Sequence, residues 1–148
     1  MSSPPPGRPE GMTANLCPYL SFDGTAREAM ETYQRVLGGT LTLNTFAEFG
    51  MDGPDAERIM HGQLDTPDGI LLMGSDTGPG MGFEKAAGTT VCISGTDTEK
   101  LRGWWAALAE GAQVETPLAV QMWGDEYGAC TDQFGTPWMF NIAAAPRD

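Results

Sequence analysis

The chain carries the same pattern of helix and strand signals twice, and this repeat limits what it can fold into. In the first half, apolar residues follow the spacing of one helix face, at Ala26, Ala29, Met30, Tyr33, Val36 and Leu37. In the second half, the same spacing recurs at Leu101, Trp104, Trp105, Leu108 and Ala109. Glycine follows each stripe, at Gly38 and Gly39 and again at Gly111, where it suits a left-handed helix cap. The sequence therefore predicts one helix in each half, with both tryptophans in the core.

The start of each helix also shows the same local pattern. Thr25 stands three residues before Glu28, and Thr96 stands three residues before Glu99. This is the capping-box pattern, in which the threonine hydroxyl and the glutamate carboxylate each accept from the other residue's backbone N–H. The pattern predicts side-chain caps at Thr25 and Thr96.

One strand precedes each predicted helix and three follow it. Apolar runs bounded by turn residues predict strands in the first half at 16–22, 40–48, 58–66 and 70–75. The second half predicts strands at 89–94, 112–121, 126–131 and 137–142. A single βαβββ module cannot bury its helix face and its sheet alone. We therefore predict an α+β fold in which two βαβββ modules form curved mixed sheets around a cleft.

The length of 148 residues fits one domain with a core that needs no disulfide or metal ion. We predict a single domain over 14–148, with modules at 14–77 and 88–144 and a connector at 78–87. The first 13 residues are rich in proline, serine and glycine and lack an apolar pattern, which predicts a disordered tail. No run approaches the roughly 20 apolar residues of a membrane span, and no signal peptide is recognisable, so we expect a cytoplasmic protein.

Charge limits the classes of binding partner, and cysteine spacing limits the possible disulfides and zinc sites. The formal net charge is −12 and there is no cluster of lysine and arginine, which argues against nucleic acid and anionic membranes. The charge either serves solubility alone or favours a neutral or cationic ligand. Cys17, Cys92 and Cys130 are widely spaced, which predicts buried free thiols rather than a disulfide or a zinc knuckle.

Three stretches of the sequence are similar to a known family. They are 18–26 (PYLSFDGTA), 60–64 (MHGQL) and 122–138 (MWGDEYGACTDQFGTPW). Together they resemble the PhnB-like branch of the vicinal oxygen chelate superfamily, whose members are described as demethylubiquinone methyltransferase-like or glyoxalase/bleomycin resistance-like. The resemblance implies the glyoxalase/bleomycin resistance/dioxygenase-like fold, a homodimer and a small-molecule ligand in the cleft.

The methyltransferase description has no support in a cofactor motif. The glycine-rich run at 78–82 follows a predicted strand, as a nucleotide-binding loop would. The six residues at 83–88 are too few for the crossover helix that such a loop needs, and another strand comes next. The run is interpreted as a loop.

The resemblance also implies a divalent metal ion held by histidine and glutamate on the first and last strand of each module. Here those strands offer Cys17, Tyr19, Ser21, Met73, Thr89, Thr90, Met139 and Asn141. None of these is a histidine or a glutamate, so we expect no metal and no other cofactor. A different metal site, built on His61 with Gln63 or Glu48, stays open as the disfavoured alternative.

Five residues are predicted to line the cleft. Strand alternation directs His61 and Gln63 to one face and Met60 and Leu64 to the other. His61 is either a ligand contact or general base, or a hydrogen-bonded structural histidine. Trp123 is either a cleft residue or part of a subunit interface. The candidates are His61, Gln63, Tyr19, Trp123 and Tyr127.

Three functions remain open at this point. The first is binding of a small organic molecule in the cleft without the usual metal. The second is a metal-dependent enzyme of the lyase, isomerase or dioxygenase type, and the third is a non-catalytic structural or regulatory dimer. The sequence identifies neither a ligand nor a reaction.

Overall fold

A computed structural model describes residues 14–78, 80–85 and 87–144 of the chain. The predicted disordered tail at 1–13 lies outside these residues. The chain folds as two compact units, the first ending at residue 85 and the second beginning at residue 86. Each unit has the predicted βαβββ order, which confirms the α+β fold class. No helix in the described ranges is long and apolar enough to span a membrane.

The first unit is a four-stranded mixed sheet with one helix. Its elements are β1 (Tyr19–Phe22), α1 (Ala26–Leu37), β2 (Thr40–Thr45), β3 (Ile59–Asp65) and β4 (Leu71–Asp76). The strand order is β1-β4-β3-β2, with β1 parallel to β4 and the other neighbours antiparallel. A 3₁₀ turn at Ala47–Phe49, which was not predicted, follows β2.

The second unit repeats this topology. Its elements are β5 (Val91–Gly95), α2 (Thr98–Ala109), β6 (Gln113–Val120), β7 (Glu126–Thr131) and β8 (Pro137–Ile142). The strand order is β5-β8-β7-β6, and β5 is again the one strand paired in parallel, here with β8. The described residues between β4 and β5, at 77–78, 80–85 and 87–90, form no helix, in agreement with the prediction of a loop.

In the first unit, α1 covers one face of the sheet. Its buried side chains include Met30 and Tyr33, as the apolar stripe predicts, and the sheet contributes Phe22, Leu64 and Leu72. Gly62 and Gly74 let the helix approach closely, because a Cβ at either position would lie within 3.5 Å of Met30. Strand alternation then places the side chains of His61 and Gln63 on the opposite face of the sheet.

In the second unit, aromatic side chains form the contact between α2 and the sheet. Trp105 packs edge-on against Phe140, with ring centroids 5.6 Å apart and an interplanar angle of 77°. Trp138 is fully buried. The prediction for Trp104 is wrong in part, because its ring is only half-buried and lies 5.9 Å from the Lys100 ammonium.

Both helices begin without the predicted capping boxes. The Thr25 side chain makes no cap hydrogen bond, and α2 is capped by Asp97, whose carboxylate accepts from the Lys100 N–H at 3.3 Å. A reciprocal pair of this kind forms instead at the 3₁₀ turn. There the Glu48 N–H donates to Thr45 Oγ1, and the Thr45 N–H donates to the Glu48 carboxylate, both at 3.3 Å.

The cysteine predictions are correct for pairing and partly wrong for burial. All three cysteines are free. Cys130 is buried, and burial raises its pKa to about 11, so its thiol stays protonated near neutral pH. Cys92 is exposed, because its neighbour Ile93 takes the buried position on β5 and alternation turns Cys92 to the other face.

The two glycines after α1 give a matched pair for a stability test. Both have positive φ, 80° at Gly38 and 98° at Gly39. A Cβ at Gly38 meets nothing within 4 Å, whereas a Cβ at Gly39 would overlap the Asp65 carbonyl and lie 2.8 Å from Thr66 Cα. We expect Gly38→Ala to lower the free energy of unfolding by about 1 kcal/mol, through backbone strain alone. Gly39→Ala should cost about 2 kcal/mol more, because the backbone itself must shift.

Urea unfolding of both glycine variants, followed by circular dichroism, measures this difference. Equal losses for the two variants would mean that the chain relaxes around residue 39. The close approach of β2 to the end of β3 would then not be what requires glycine at that position.

Candidate functional site

The face of the first sheet opposite α1 carries mostly polar side chains, and we call it the open face. Its residues are Tyr19, Ser21, Thr40, Thr42, Asn44, His61, Gln63, Asp65, Leu71, Met73 and Ser75. All four strands contribute to it, and His61 and Gln63 are half-buried there. Three of the five predicted site residues, Tyr19, His61 and Gln63, lie on this face.

Tyr19 and His61 are in direct contact. The Tyr19 hydroxyl lies 3.3 Å from His61 Nδ1, and the ring centroids are 5.9 Å apart at 33°. The two residues belong to β1 and β3, which are separated by β4, so the contact spans the intervening strand. One imidazole nitrogen is thereby engaged, and Nε2 has no partner among the described residues.

The amide residues of the open face are held by carboxylates. Gln63 donates from Nε2 to Asp65 Oδ2 at 2.9 Å, and Asn44 donates from Nδ2 to Glu48 Oε2 at 3.1 Å. Asn44 lies directly opposite His61 on the neighbouring strand. Asn44 was not among the predicted site residues, although the alternation of polar and apolar residues along 40–44 could have placed it on this face.

The other two predicted site residues belong to the second unit. Trp123 lies in the turn between β6 and β7 with 53% of its surface exposed. Tyr127 lies on β7 opposite Ala119 and Asn141, and it is half-buried. Its neighbour Gly128 faces Trp105 of α2, so the Tyr127 side chain stands on the face away from that helix. The five predicted residues are therefore divided between the two units.

Asp125 and Glu126, which are adjacent in the sequence, have separate partners and do not form a carboxylate pair. The Asp125 carboxylate accepts from Asn141 Nδ2 and from the Ala144 N–H, each at 3.1 Å. The Glu126 carboxylate accepts from Arg102 Nε and Nη2 at 3.0 and 2.9 Å, a two-point contact that raises the pKa of Arg102. Asp125 precedes β7 and Glu126 is its first residue, and the two carboxylates are directed to different partners.

The donors around His61 do not suit a divalent metal ion. The described residues contain no group of three or more histidine, cysteine, aspartate or glutamate side chains placed to hold one. The neighbours of His61 are a neutral phenol and a carboxamide, which are poor substitutes for the imidazole and carboxylate ligands of zinc or iron sites. The Glu48 carboxylate, named as a possible ligand, is directed instead to Asn44 and the Thr45 N–H.

The sequence matches a described protein family over almost its whole length. The family described as 3-demethylubiquinone-9 3-methyltransferase matches residues 14–140. This chain belongs to that family. The PhnB-like resemblance is thereby confirmed. Protein YjdN of Escherichia coli (strain K12) is 30% identical over 139 residues, which cover 86% of this chain and 94% of YjdN.

Solved structures extend the comparison from the PhnB-like family to the wider fold. Protein PA1353 from Pseudomonas aeruginosa is 32% identical with a TM-score of 0.82, covering 90% of this chain and 100% of PA1353. A putative 3-demethylubiquinone-9 3-methyltransferase, the PhnB protein from Bacillus cereus, has a TM-score of 0.68 at 19% identity, covering 88% and 100%. A glyoxalase/bleomycin resistance protein/dioxygenase superfamily member from Sphaerobacter thermophilus has a TM-score of 0.55 at 15% identity, covering 88% and 98%. These likenesses confirm the predicted glyoxalase/bleomycin resistance fold of this PhnB-like protein.

Proposed function

We propose that this PhnB-like protein binds a small organic molecule on the open face of its first unit and that it does so without a metal ion. The observation that carries the proposal is the contact between Tyr19 and His61. It joins residues 42 positions apart across an intervening strand and leaves imidazole Nε2 on a half-buried surface. A polar group that is partly withdrawn from water gains most from a ligand that completes its hydrogen bonds.

An ordinary solvated sheet face would look different in two respects. Its polar side chains would all be exposed. Tyr19, Ser21, Thr40 and Thr42 are exposed here, but His61, Gln63 and Asn44 are half-buried. It would also rarely fix its side chains against one another, whereas three hydrogen bonds orient five of the polar side chains here. Side chains held in place bind a ligand with less loss of conformational entropy.

The proposal includes a homodimer, which the PhnB-like resemblance implies, and a cytoplasmic location. Native mass spectrometry of protein purified without chelator or affinity metal tests both the assembly and the metal-free state. We expect a dimer whose mass equals two bare chains. One divalent ion bound per chain would overturn the metal-free part and support the metal-dependent enzyme, with His61 as the first ligand to replace.

Binding can be followed by NMR at the Cε1–H group of His61, because this is the only histidine of the chain. Its Cε1–H gives a single imidazole signal in proton NMR, so a library of small molecules can be screened for compounds that move it. We expect His61→Ala to weaken binding of the compounds found by at least about tenfold, as for loss of one hydrogen bond. Its free energy of unfolding should fall by less than about 1 kcal/mol, because the side chain is at the surface of the sheet.

The matched control is Thr32→Ala, which removes a hydroxyl from α1, on the opposite side of the first sheet from the open face. Calorimetric titration of both variants gives the affinities, and urea unfolding gives the stabilities. If His61→Ala retained full affinity but lost several kcal/mol of stability, the histidine would be structural. A screen without any compound that moves the imidazole signal would end the binding proposal.

A further inference from the structure

We infer that the open face selects ligands that donate N–H hydrogen bonds from a positively charged group, such as a primary ammonium or a guanidinium, and excludes carboxylates. This inference rests on the proposed function, since it names the class of ligand for the same face. It is carried by the orientation of two carboxamides and by the charges around them.

The hydrogen bonds fix which end of each carboxamide meets a ligand. Ionised carboxylates accept hydrogen bonds and cannot donate them. Gln63 must therefore turn its NH₂ group to Asp65, and Asn44 must turn its NH₂ group to Glu48, at the observed 2.9 and 3.1 Å. The oxygen ends, Gln63 Oε1 and Asn44 Oδ1, have no partner among the described residues and remain as acceptors.

The strand register makes the two carboxamides diagonal neighbours on the open face. Asn44 is opposite His61 on β2, and Gln63 follows His61 by two residues on the same face of β3. Side chains directly opposite one another in an antiparallel pair have Cβ atoms about 5 Å apart, and diagonal neighbours are within reach of long side chains. A group with two or three N–H donors can therefore meet both oxygens beside the imidazole.

The charges of this region act in the same direction. None of the strands β1, β2, β3 and β4 contains a lysine or an arginine, and Arg58, just before β3, is paired with Asp23 and Asp55. Asp65 and Glu48 accept from the NH₂ groups of the two carboxamides. Each carboxylate polarises the amide that donates to it and increases the negative charge on the amide oxygen. A cation meets a favourable field there, whereas an anion meets acceptors that it cannot satisfy and like charge behind them.

Four probes with the same ring separate N–H donation from charge and from apolar contact. They are benzylammonium, benzyltrimethylammonium, benzyl alcohol and benzoate, each titrated into the full chain while the His61 Cε1–H signal is followed. We expect benzylammonium to bind most tightly. Benzyltrimethylammonium carries the same charge without N–H groups and should bind about tenfold more weakly, and benzoate should leave the signal unmoved.

Two variants test whether the preference for benzylammonium comes from Gln63 Oε1 and Asn44 Oδ1. Gln63→Met keeps the length of the side chain and removes Oε1, and Asn44→Ala removes Oδ1. Each substitution should weaken the binding of benzylammonium by about tenfold and leave the weaker binding of benzyltrimethylammonium unchanged. Thr32→Ala, on α1 at the other side of the sheet, should change neither. An NMR spectrum of the backbone amides of each variant checks that the fold is retained before affinities are compared.

The outcomes separate this inference from the proposed function. Benzoate or benzyl alcohol binding as tightly as benzylammonium would overturn the inference and leave the binding function in place. The same holds if benzylammonium and its trimethyl analogue bind equally, because N–H donation would then contribute nothing. If neither these probes nor any library compound moves the imidazole signal, both the inference and the binding function are wrong.

Discussion

Asp132→Ala is expected to lower the free energy of unfolding by about 4 kcal/mol, the largest loss that we predict for a single substitution in this protein. The carboxylate is buried in the turn between β7 and β8 and accepts three hydrogen bonds. Oδ1 accepts from the Phe134 and Thr136 N–H groups at 2.9 and 3.0 Å, and Oδ2 accepts from Trp138 Nε1 at 2.8 Å. Trp138 is completely buried, so its indole N–H would lose its acceptor where water cannot replace it.

The internal repeat supplies the control for this substitution. The equivalent turn of the first unit is closed by Thr66, whose hydroxyl accepts from the Ile70 N–H at 3.0 Å and donates to the Ile70 carbonyl at 3.1 Å. In both turns the first residue's N–H donates to the carbonyl four positions on, and the glycine N–H donates back to the first residue. Thr66→Ala removes a similar turn contact without leaving a buried indole unpartnered, and it should cost about 1 kcal/mol.

Urea unfolding monitored by circular dichroism gives the free energy of unfolding of both variants. It does not depend on tryptophan emission, which Asp132→Ala would itself change. The loss of stability for Asp132→Asn should lie between the losses for these two variants, because its carboxamide keeps one acceptor oxygen and turns an NH₂ group toward another donor. A loss for Asp132→Ala no larger than that for Thr66→Ala would contradict the account. The link to Trp138 would then contribute nothing beyond an ordinary turn.

The strands were predicted best where a turn fixes the register within a hairpin. β7 and β8 have the predicted bounds, because the turn at 132–135 ends in a glycine with φ of 93° and sets the pairing on both sides. β1 was predicted to begin at Leu16 and begins at Tyr19, where its parallel pairing with β4 starts. Leu16 is 99% exposed, and nothing in the local sequence shows where a partner from 50 residues away will begin to pair.

The helix starts show how a long-range contact replaces a local one. The pattern of threonine followed by glutamate three residues later occurs at 25–28, 45–48 and 96–99. The reciprocal contact forms at 45–48 alone among these three. At α2 the cap moves by one residue to Asp97, an equally good capping side chain. At α1 the acceptor comes from the end of β4, and local patterns do not contain that information.

For the candidate site, the sequence predicted which face a side chain lies on but not its contacts with distant strands. Alternation along β3 was enough to place His61 and Gln63 on the face away from α1. The contact of His61 with Tyr19 depends on the strand order β1-β4-β3, and an aromatic ring long enough to cross β4 is needed to make it. Asp65, which orients Gln63, follows from the same alternation along β3, whereas Glu48, which orients Asn44, lies in the 3₁₀ turn that was not predicted.

Asp76→Ala is expected to lower the free energy of unfolding by about 3 kcal/mol, whereas Thr25→Ala should cost less than about 0.5 kcal/mol. Asp76 is buried at the end of β4. Its Oδ1 accepts from the Gly24 and Ala26 N–H groups at 2.7 and 3.1 Å, and its Oδ2 accepts from the Ile59 N–H at 2.9 Å. This one carboxylate caps α1 and joins it to the start of β3, which the Thr25 side chain does not do.

The size of the loss follows from what the three N–H groups can find instead. Each would cost about 1–3 kcal/mol if it stayed buried without an acceptor. Alanine leaves room for a water molecule beside the partly exposed Gly24, which returns part of that cost, so the total falls below the simple sum. The pKa of Arg58 is raised mainly by the hydrogen bond that it donates to Asp23 and further by the charge of Asp76, and this second contribution is lost as well.

Hydrogen exchange distinguishes a lost cap from a general loss of stability. In Asp76→Ala, the Gly24, Ala26 and Ile59 amides should exchange faster than the decrease in global stability explains, and the second unit should retain its relative protection. Thr25→Ala should leave all three amides protected. If Thr25→Ala destabilised the protein as much as Asp76→Ala, the local capping pattern would have been the correct guide, and the carboxylate from β4 would not be what starts α1.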